Sequence, residues 1–166
     1  MTMTAIRIIL FTCAILSATP LTGSSADDAD KAKKVVDACK KHFKEHASTC
    51  SGFVRAVASD FGLKFGGAHA NATVGELGKA GSGWKSLGLD GKLAKQKADA
   101  GCVVLAGLPG SEMNEPDAHG HVVVVVTGPL AHDKYSSAYC GKLNGVGNEN
   151  TTLNYARLKA AQGRSR

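Results

Sequence analysis

Five consecutive valines, Val122-Val123-Val124-Val125-Val126, follow Gly120-His121 and end at Thr127-Gly128-Pro129. β-Branched side chains are stiff and suit a pleated strand. A run with no polar residue at alternate positions cannot turn one face to water. Residues 121–127 are therefore expected in the middle of a sheet. Cys102-Val103-Val104-Leu105-Ala106 reads as a second buried strand, closed by Gly107-Leu108-Pro109-Gly110, and residues 138–143 as a returning neighbour.

Helical periodicity comes earlier in the chain. Residues 31–46 place Val35, Val36, Cys39 and Phe43 on one face and lysines on the other. Residues 50–61 carry a stripe of Phe53, Val54, Val57, Ala58 and Phe61, with Gly62 as a stop. Residues 72–77 and 93–100 predict short helices, and the glycine-rich stretch 78–90 predicts irregular, exposed chain. Residues 111–118 are polar and acidic and read as a mobile loop, a candidate lid or rim just before the histidine strand. Residues 151–158 read as a final strand or helical segment. Helices first and strands later predict an α+β domain, with the helix that starts at Cys50 packed on an antiparallel sheet.

The first 26 residues read as a signal peptide: Arg7 supplies a charge, residues 8–16 are apolar, and Ser24-Ser25-Ala26 puts small residues at a cleavage site. The apolar run is too short to span a bilayer stably, so no membrane anchor is expected after its removal. Residues 27–166 make 140 residues, a length suited to one domain. The whole chain carries a formal charge of +6, and loss of Arg7 leaves +5. That balance favours anionic partners. Nucleic acid is not expected, because basic residues are dispersed and aromatics are scarce. Bacterial cell wall, with free carboxylates on its peptides, suits the charge equally well.

Four cysteines follow the signal: Cys39, Cys50, Cys102 and Cys140. No pair has Cys-x-x-Cys spacing, and one disulfide among Cys39, Cys102 and Cys140 is compatible with export. Cys50 opens a predicted helix, where backbone amides and the helix dipole favour an anion. His121 follows 71 residues later, at the head of the valine strand. A cysteine on a helix end and a histidine on a strand, joined by packing, is the layout of a papain-like cysteine hydrolase. Taken alone, a cysteine is more often a small buried hydrophobe, and a strand-start histidine is often satisfied by backbone. His119-x-His121 with His132 or His69 could instead chelate zinc, but no carboxylate or cysteine stands at a reinforcing spacing. Asn71, Asn144 and Asn148 are ordinary turn formers. Trp84, the single tryptophan, could stack on a sugar, although partial burial is its commoner fate.

Several motifs agree on one family. Cys50-Ser51-Gly52-Phe53-Val54, Ala70-Asn71-Ala72, Val104-Leu105-Ala106-Gly107-Leu108, Gly120-His121-Val122, Gly128-Pro129-Leu130, Lys134-Tyr135 and Cys140-Gly141 occur in order across residues 35–158. Together they resemble the first family of type VI secretion amidase effectors, bacteriolytic toxins with a papain-type, NlpC/P60-like fold. The resemblance implies a cysteine peptidase that hydrolyses the γ-D-glutamyl-meso-diaminopimelate amide of peptidoglycan. It implies Cys50 as nucleophile, His121 as general base and acid, and Cys140 beside the imidazole in a modest third role. Ser51, Ala70 and Asn71 match the surroundings of the cleft and are candidate substrate-binding positions. No metal or organic cofactor is expected, the chain is expected to act as a monomer, and a cognate immunity protein is a candidate partner. Two departures stand out. Segment 111–118 is longer than the family's connection, and injected effectors travel without a Sec-type signal. The runner-up readings are a secreted cell-wall-binding module without catalysis and a papain-like hydrolase acting on another amide.

Overall fold

The computed structural model describes residues 25–46, 48–64, 66–113, 119–141, 149–150 and 159–163. Residues 1–24 of the expected signal peptide, Asn144, Asn148 and the segment 151–158 lie outside them, as do residues 114–118 of the expected loop, whereas Ser25 and Ala26, the last two residues of that expected signal, belong to the start of a helix. Four α-helices, one 3-10 turn (Gly110–Glu112, at the start of the expected loop) and six strands are present among the described residues: α1 (Ala26–His46), α2 (Cys50–Asp60), α3 (Ala70–Gly78), β1 (Trp84–Gly88), α4 (Gly91–Asp99), β2 (Val104–Leu108), β3 (His121–Val125), β4 (Ser137–Tyr139), β5 (Glu149–Asn150) and β6 (Lys159–Gly163). The strands form one sheet in the order β1-β6-β2-β3-β4-β5, and every neighbouring pair is antiparallel. This is the expected α+β class. The valine strand β3 lies inside the sheet between β2 and β4, with all five residues buried.

Alternation along β3 divides the core into two layers. Val122, Val124 and Val126 join Leu105, Tyr139 and the helical residues Val35, Cys39, Phe53, Val54 and Val57 on one side. Val123 and Val125 join Val104, Ala106, Ala138 and the α4 residues Ala94 and Ala98 on the other. The apolar stripe predicted for α2 is thus the surface by which that helix lies on the sheet.

Helix ends follow local chemistry. Ser25 and Asp28 exchange hydrogen bonds at the head of α1, where the Ser25 amide donates to Asp28 Oδ2 at 3.3 Å and the Asp28 amide to Ser25 Oγ at 3.2 Å. This capping box starts α1 five residues before the expected Lys31. α2 ends in a Schellman turn: Leu63 N donates to Ala58 O and Gly62 N to Ser59 O, with Gly62 at φ +71°. α3 starts two residues before the expected Ala72, because the His69 carbonyl accepts from both Ala72 N and Thr73 N. α4 starts two before the expected Leu93, because the Asp90 carboxylate accepts from Leu93 N at 3.0 Å.

Two regions differ more from expectation. Residues 78–90 contain β1, not only irregular chain. It pairs with β6, and a register shift between Ser86 and Gly88 breaks the alternation that would have revealed it. β2 runs two residues beyond the expected Ala106, because Gly107 and Leu108 pair with Val122 and His121.

Candidate active site

Cys50 is the first residue of α2, half-buried against the helical side of the core. Thr49, the N-cap, has extended backbone angles and makes no side-chain cap hydrogen bond. Its hydroxyl therefore does not occupy the amides of the first turn, which remain directed beyond the helix end. The neighbouring Ser51 is buried and donates its hydroxyl to Ala68 O at 2.9 Å, while Arg55 donates to Gly67 O at 2.8 Å. Two side chains thus fasten the start of α2 to the loop that leads into α3.

From α3 the connection continues to the histidine. Asn71 N donates to His119 O at 3.0 Å, and Asn71 Oδ1 accepts from Gly110 N at 2.8 Å. One asparagine therefore ties together the exit of β2 and the entry of β3. The rings of His69 and His119 lie 5.0 Å apart beside this link. His121 opens β3 and is 5% exposed.

The third route runs through β4. Tyr139 pairs with Val124, and Cys140 and Gly141 follow it towards the head of β3. Cys140 packs on the α4 side of the sheet, the side that alternation also gives to His121. Gly141 lies against the other side: a Cβ built on it would stand 2.5 Å from Thr49 O, 2.5 Å from His46 O and 2.6 Å from Phe53 Cβ. The dipeptide Cys140-Gly141 thus touches the layer of His121 with one residue and the start of α2 with the next.

Of the other positions singled out in the sequence, Ala70 is 1% exposed and belongs to the core. The Ser51 hydroxyl and the Asn71 carboxamide oxygen are engaged with backbone, as described. Trp84 is half-buried at the head of β1 and packs on the helical core. His132 lies in the turn before β4, closed by the bridge between Ala131 and Tyr135, with its ring 6.3 Å from that of Tyr135. Among the described residues no cluster of three or more histidine, cysteine or acidic side chains is arranged to hold a metal ion. Cys39, Cys50, Cys102 and Cys140 form no disulfide, so the bond allowed for among Cys39, Cys102 and Cys140 is not made in the structure. Complete burial pushes the Cys39 thiol far above its ordinary range, and partial burial raises that of Cys102.

No family model matches the chain. Over 119 residues it is 36% identical to the peptidoglycan amidase Tse1 of Pseudomonas aeruginosa, across 68% of this chain and 71% of the relative. The chain belongs to the type VI secretion amidase effectors. For a member of that family, what the sequence left unread is the scaffolding around the two candidate side chains. The Ser51 to Ala68 bond, the double clamp of Asn71 and the contact of Gly141 all join segments far apart in sequence. The matched motifs marked Ser51, Asn71 and Gly141 as positions, but not what each of them touches.

Proposed function

We propose that this protein hydrolyses peptidoglycan as a cysteine-dependent amidase, cutting the γ-D-glutamyl-meso-diaminopimelate bond of the stem peptide. The observation that carries this reading is that Cys50 opens α2, α2 lies on β3, and β3 opens with His121. Its amidase relative and the net positive charge agree with an anionic cell-wall substrate. Hydrolysis in this way requires the Cys50 sulfur and the His121 imidazole to meet around the end of the β3–β4 pair, where Cys140-Gly141 passes from one layer to the other.

In this reading the Cys50 sulfur attacks the γ-glutamyl carbonyl carbon. The Cys50 backbone amide and a neighbouring donor of the first helical turn hold the developing oxyanion. Protonated His121 gives its proton to the departing diaminopimelate amine, leaving a thioester on Cys50. Water, deprotonated by His121, then attacks the thioester, frees the D-glutamate carboxylate and restores the thiol. Cys140 lies beside the imidazole and limits its rotation, a modest role for a weak hydrogen-bonding group. Ser51, Ala70 and Asn71 act by setting the wall of the cleft, with the Ser51 hydroxyl and Asn71 Oδ1 holding backbone groups and Ala70 buried in the core. No metal or organic cofactor takes part. The enzyme works in the periplasm as a monomer, after export directed by residues 1–26. The described residues contain no helix long and apolar enough to cross a membrane. A cognate immunity protein would guard the producing cell.

Mass spectrometry of diaminopimelate-type peptidoglycan incubated with the purified protein tests the reading. New products ending at D-glutamate are expected, with loss of at least about 1,000-fold in rate for Cys50→Ala and for His121→Ala. Full activity in Cys50→Ala would refute the mechanism. Intact stems with retained affinity for sacculi would favour the non-catalytic binding module.

A further inference from the structure

We infer that Gly141 is a positioning residue for Cys50, a steric seat on which the first turn of α2 rests. The inference depends on Cys50 being the reacting group proposed above. Three atoms crowd the space where a Gly141 side chain would begin: Thr49 O, His46 O and Phe53 Cβ, all within 2.6 Å of an ideal Cβ. Two of these are backbone oxygens, which cannot rotate aside. One belongs to Thr49, the N-cap residue bonded directly to Cys50, and it also accepts the first helical hydrogen bond, from Phe53 N at 3.0 Å. Gly141 carries no positive φ that would demand glycine for conformation, so the requirement here is space alone.

The other side of the same strand explains why this seat matters to the chemistry. β4 runs antiparallel to β3 with Tyr139 opposite Val124, so two residues further on Gly141 draws level with Val122, the residue after His121. Cys140, one residue earlier, packs on the layer that alternation assigns to His121. The strand therefore sets the height of Cys50 above the sheet with one residue and borders His121 with its neighbour. A methyl group at position 141 pushes α2 outward, lengthening the distance over which the sulfur and the imidazole must exchange a proton. Misplacement of about 1 Å in a reacting pair costs on the order of 100-fold in rate.

The test compares Gly141→Ala with Gly101→Ala. Gly101 is also crowded, with a Cβ there 2.2 Å from Lys31 Cβ and 3.1 Å from Asp28 O, and its φ of +74° adds backbone strain to the substitution, but it abuts the start of α1, so it controls for a general loss of stability. Both variants are assayed below their melting temperatures for kcat and KM on peptidoglycan, and for the rate of Cys50 alkylation by iodoacetamide, read by mass spectrometry. The expected result is a fall of about 100-fold in kcat for Gly141→Ala with KM changed far less, a changed Cys50 alkylation rate, and wild-type values of both for Gly101→Ala. Wild-type kcat and alkylation in folded Gly141→Ala would overturn the inference, as would equal losses in the two variants. If Gly141→Ala does not fold, the same substitution is made with one glycine inserted after Ser48, which gives the α1–α2 connection slack to absorb the methyl group. Its kcat is then compared with that of the insertion alone, and equality overturns the inference. If the wild-type protein releases nothing from peptidoglycan, the functional reading fails by itself. The alkylation rates still report whether Gly141 places Cys50.

Discussion

The two layers on either side of the sheet are built differently. On the helical side three helices converge, and the filling is bulky: the Phe43 ring meets Phe53 edge-on at 6.0 Å and Tyr139 at 6.2 Å, above Leu105 and the inward valines. On the other side a single nine-residue helix, α4, lies close to the sheet through Ala94 and Ala98, facing Ala106 and Ala138. Small side chains allow close approach but bury less apolar surface per residue. Cys50 is carried by the thick layer, while Cys140 borders the thin one. The candidate nucleophile thus stands on the layer with the bulkier filling behind it. At the rim, the adjacent residues Cys140 and Gly141 reach both layers.

The widest gap between the layers is expected from core truncations. Phe53 is fully buried and central to the aromatic cluster, so Phe53→Ala should cost about 3–5 kcal/mol of unfolding free energy. Leu87, at the edge of the thin layer on β1, should cost near the lower end of the aliphatic range, about 2 kcal/mol, when cut to alanine. Urea unfolding of the two variants measures the difference. Equal losses would mean that the layers share the load and that the contrast is one of composition only.

The cysteines give a smaller and chemically sharper contrast. Cys39 is fully buried among Val35, Phe53 and Tyr139, and burial keeps its thiol protonated. Cys102 packs only partly against the thin layer. Replacing sulfur by a hydroxyl in Cys39→Ser should cost roughly 1–3 kcal/mol, because the new polar group is taken out of water. Cys102→Ser should cost well under about 1 kcal/mol. In native protein treated with iodoacetamide, peptide mapping should find Cys50 modified before Cys102, and Cys39 only after denaturation. Modification of Cys39 at the rate of Cys102 would show that the thick layer opens readily.

How much of this contrast could be read beforehand depended on whether a feature was local. β3 was legible because five valines allow little but a buried strand, and α2 because its stripe runs unbroken from Phe53 to Phe61 before Gly62. β1 was not. Trp84-Lys85-Ser86-Leu87-Gly88 has weak strand character of its own and becomes a strand by pairing with β6, distant in sequence, through a shifted register. The same holds for the site. Cys50 and His121 stand out by residue type and motif, whereas the fit of Gly141 under Thr49 and the clamp of Asn71 between Gly110 and His119 exist only once the chain has folded. Asn71 shows the limit plainly: the sequence marks the position, but its oxygen proves to be held by the protein's own backbone.

No effect on the cysteine itself, and only a small one on stability, is expected at the other end of α2, farthest along the helix from Cys50. Asp60 is the last residue of α2, where the helix dipole disfavours an anion. Burial would raise its carboxyl, but the hydrogen bonds from Lys41 at 3.0 Å and His42 at 3.0 Å on α1 outweigh burial and hold it below the usual carboxylate range. Because the folded value is depressed, the unfolded chain binds the proton more tightly. The stabilisation is therefore fully present above the unfolded value of about 4 and is lost as pH falls through the folded one. The group is partly exposed and screened by solvent, so Asp60→Asn should cost about 1 kcal/mol or less at pH 7 and flatten the acid limb of stability. Melting curves at pH 7 and pH 3 for both proteins check this. Since the substitution loosens only the far end of α2, Cys50 alkylation should stay at the wild-type rate. A changed rate would mean that α2 moves as a rigid lever, and that its seat at Gly141 is a pivot instead of a fixed stop.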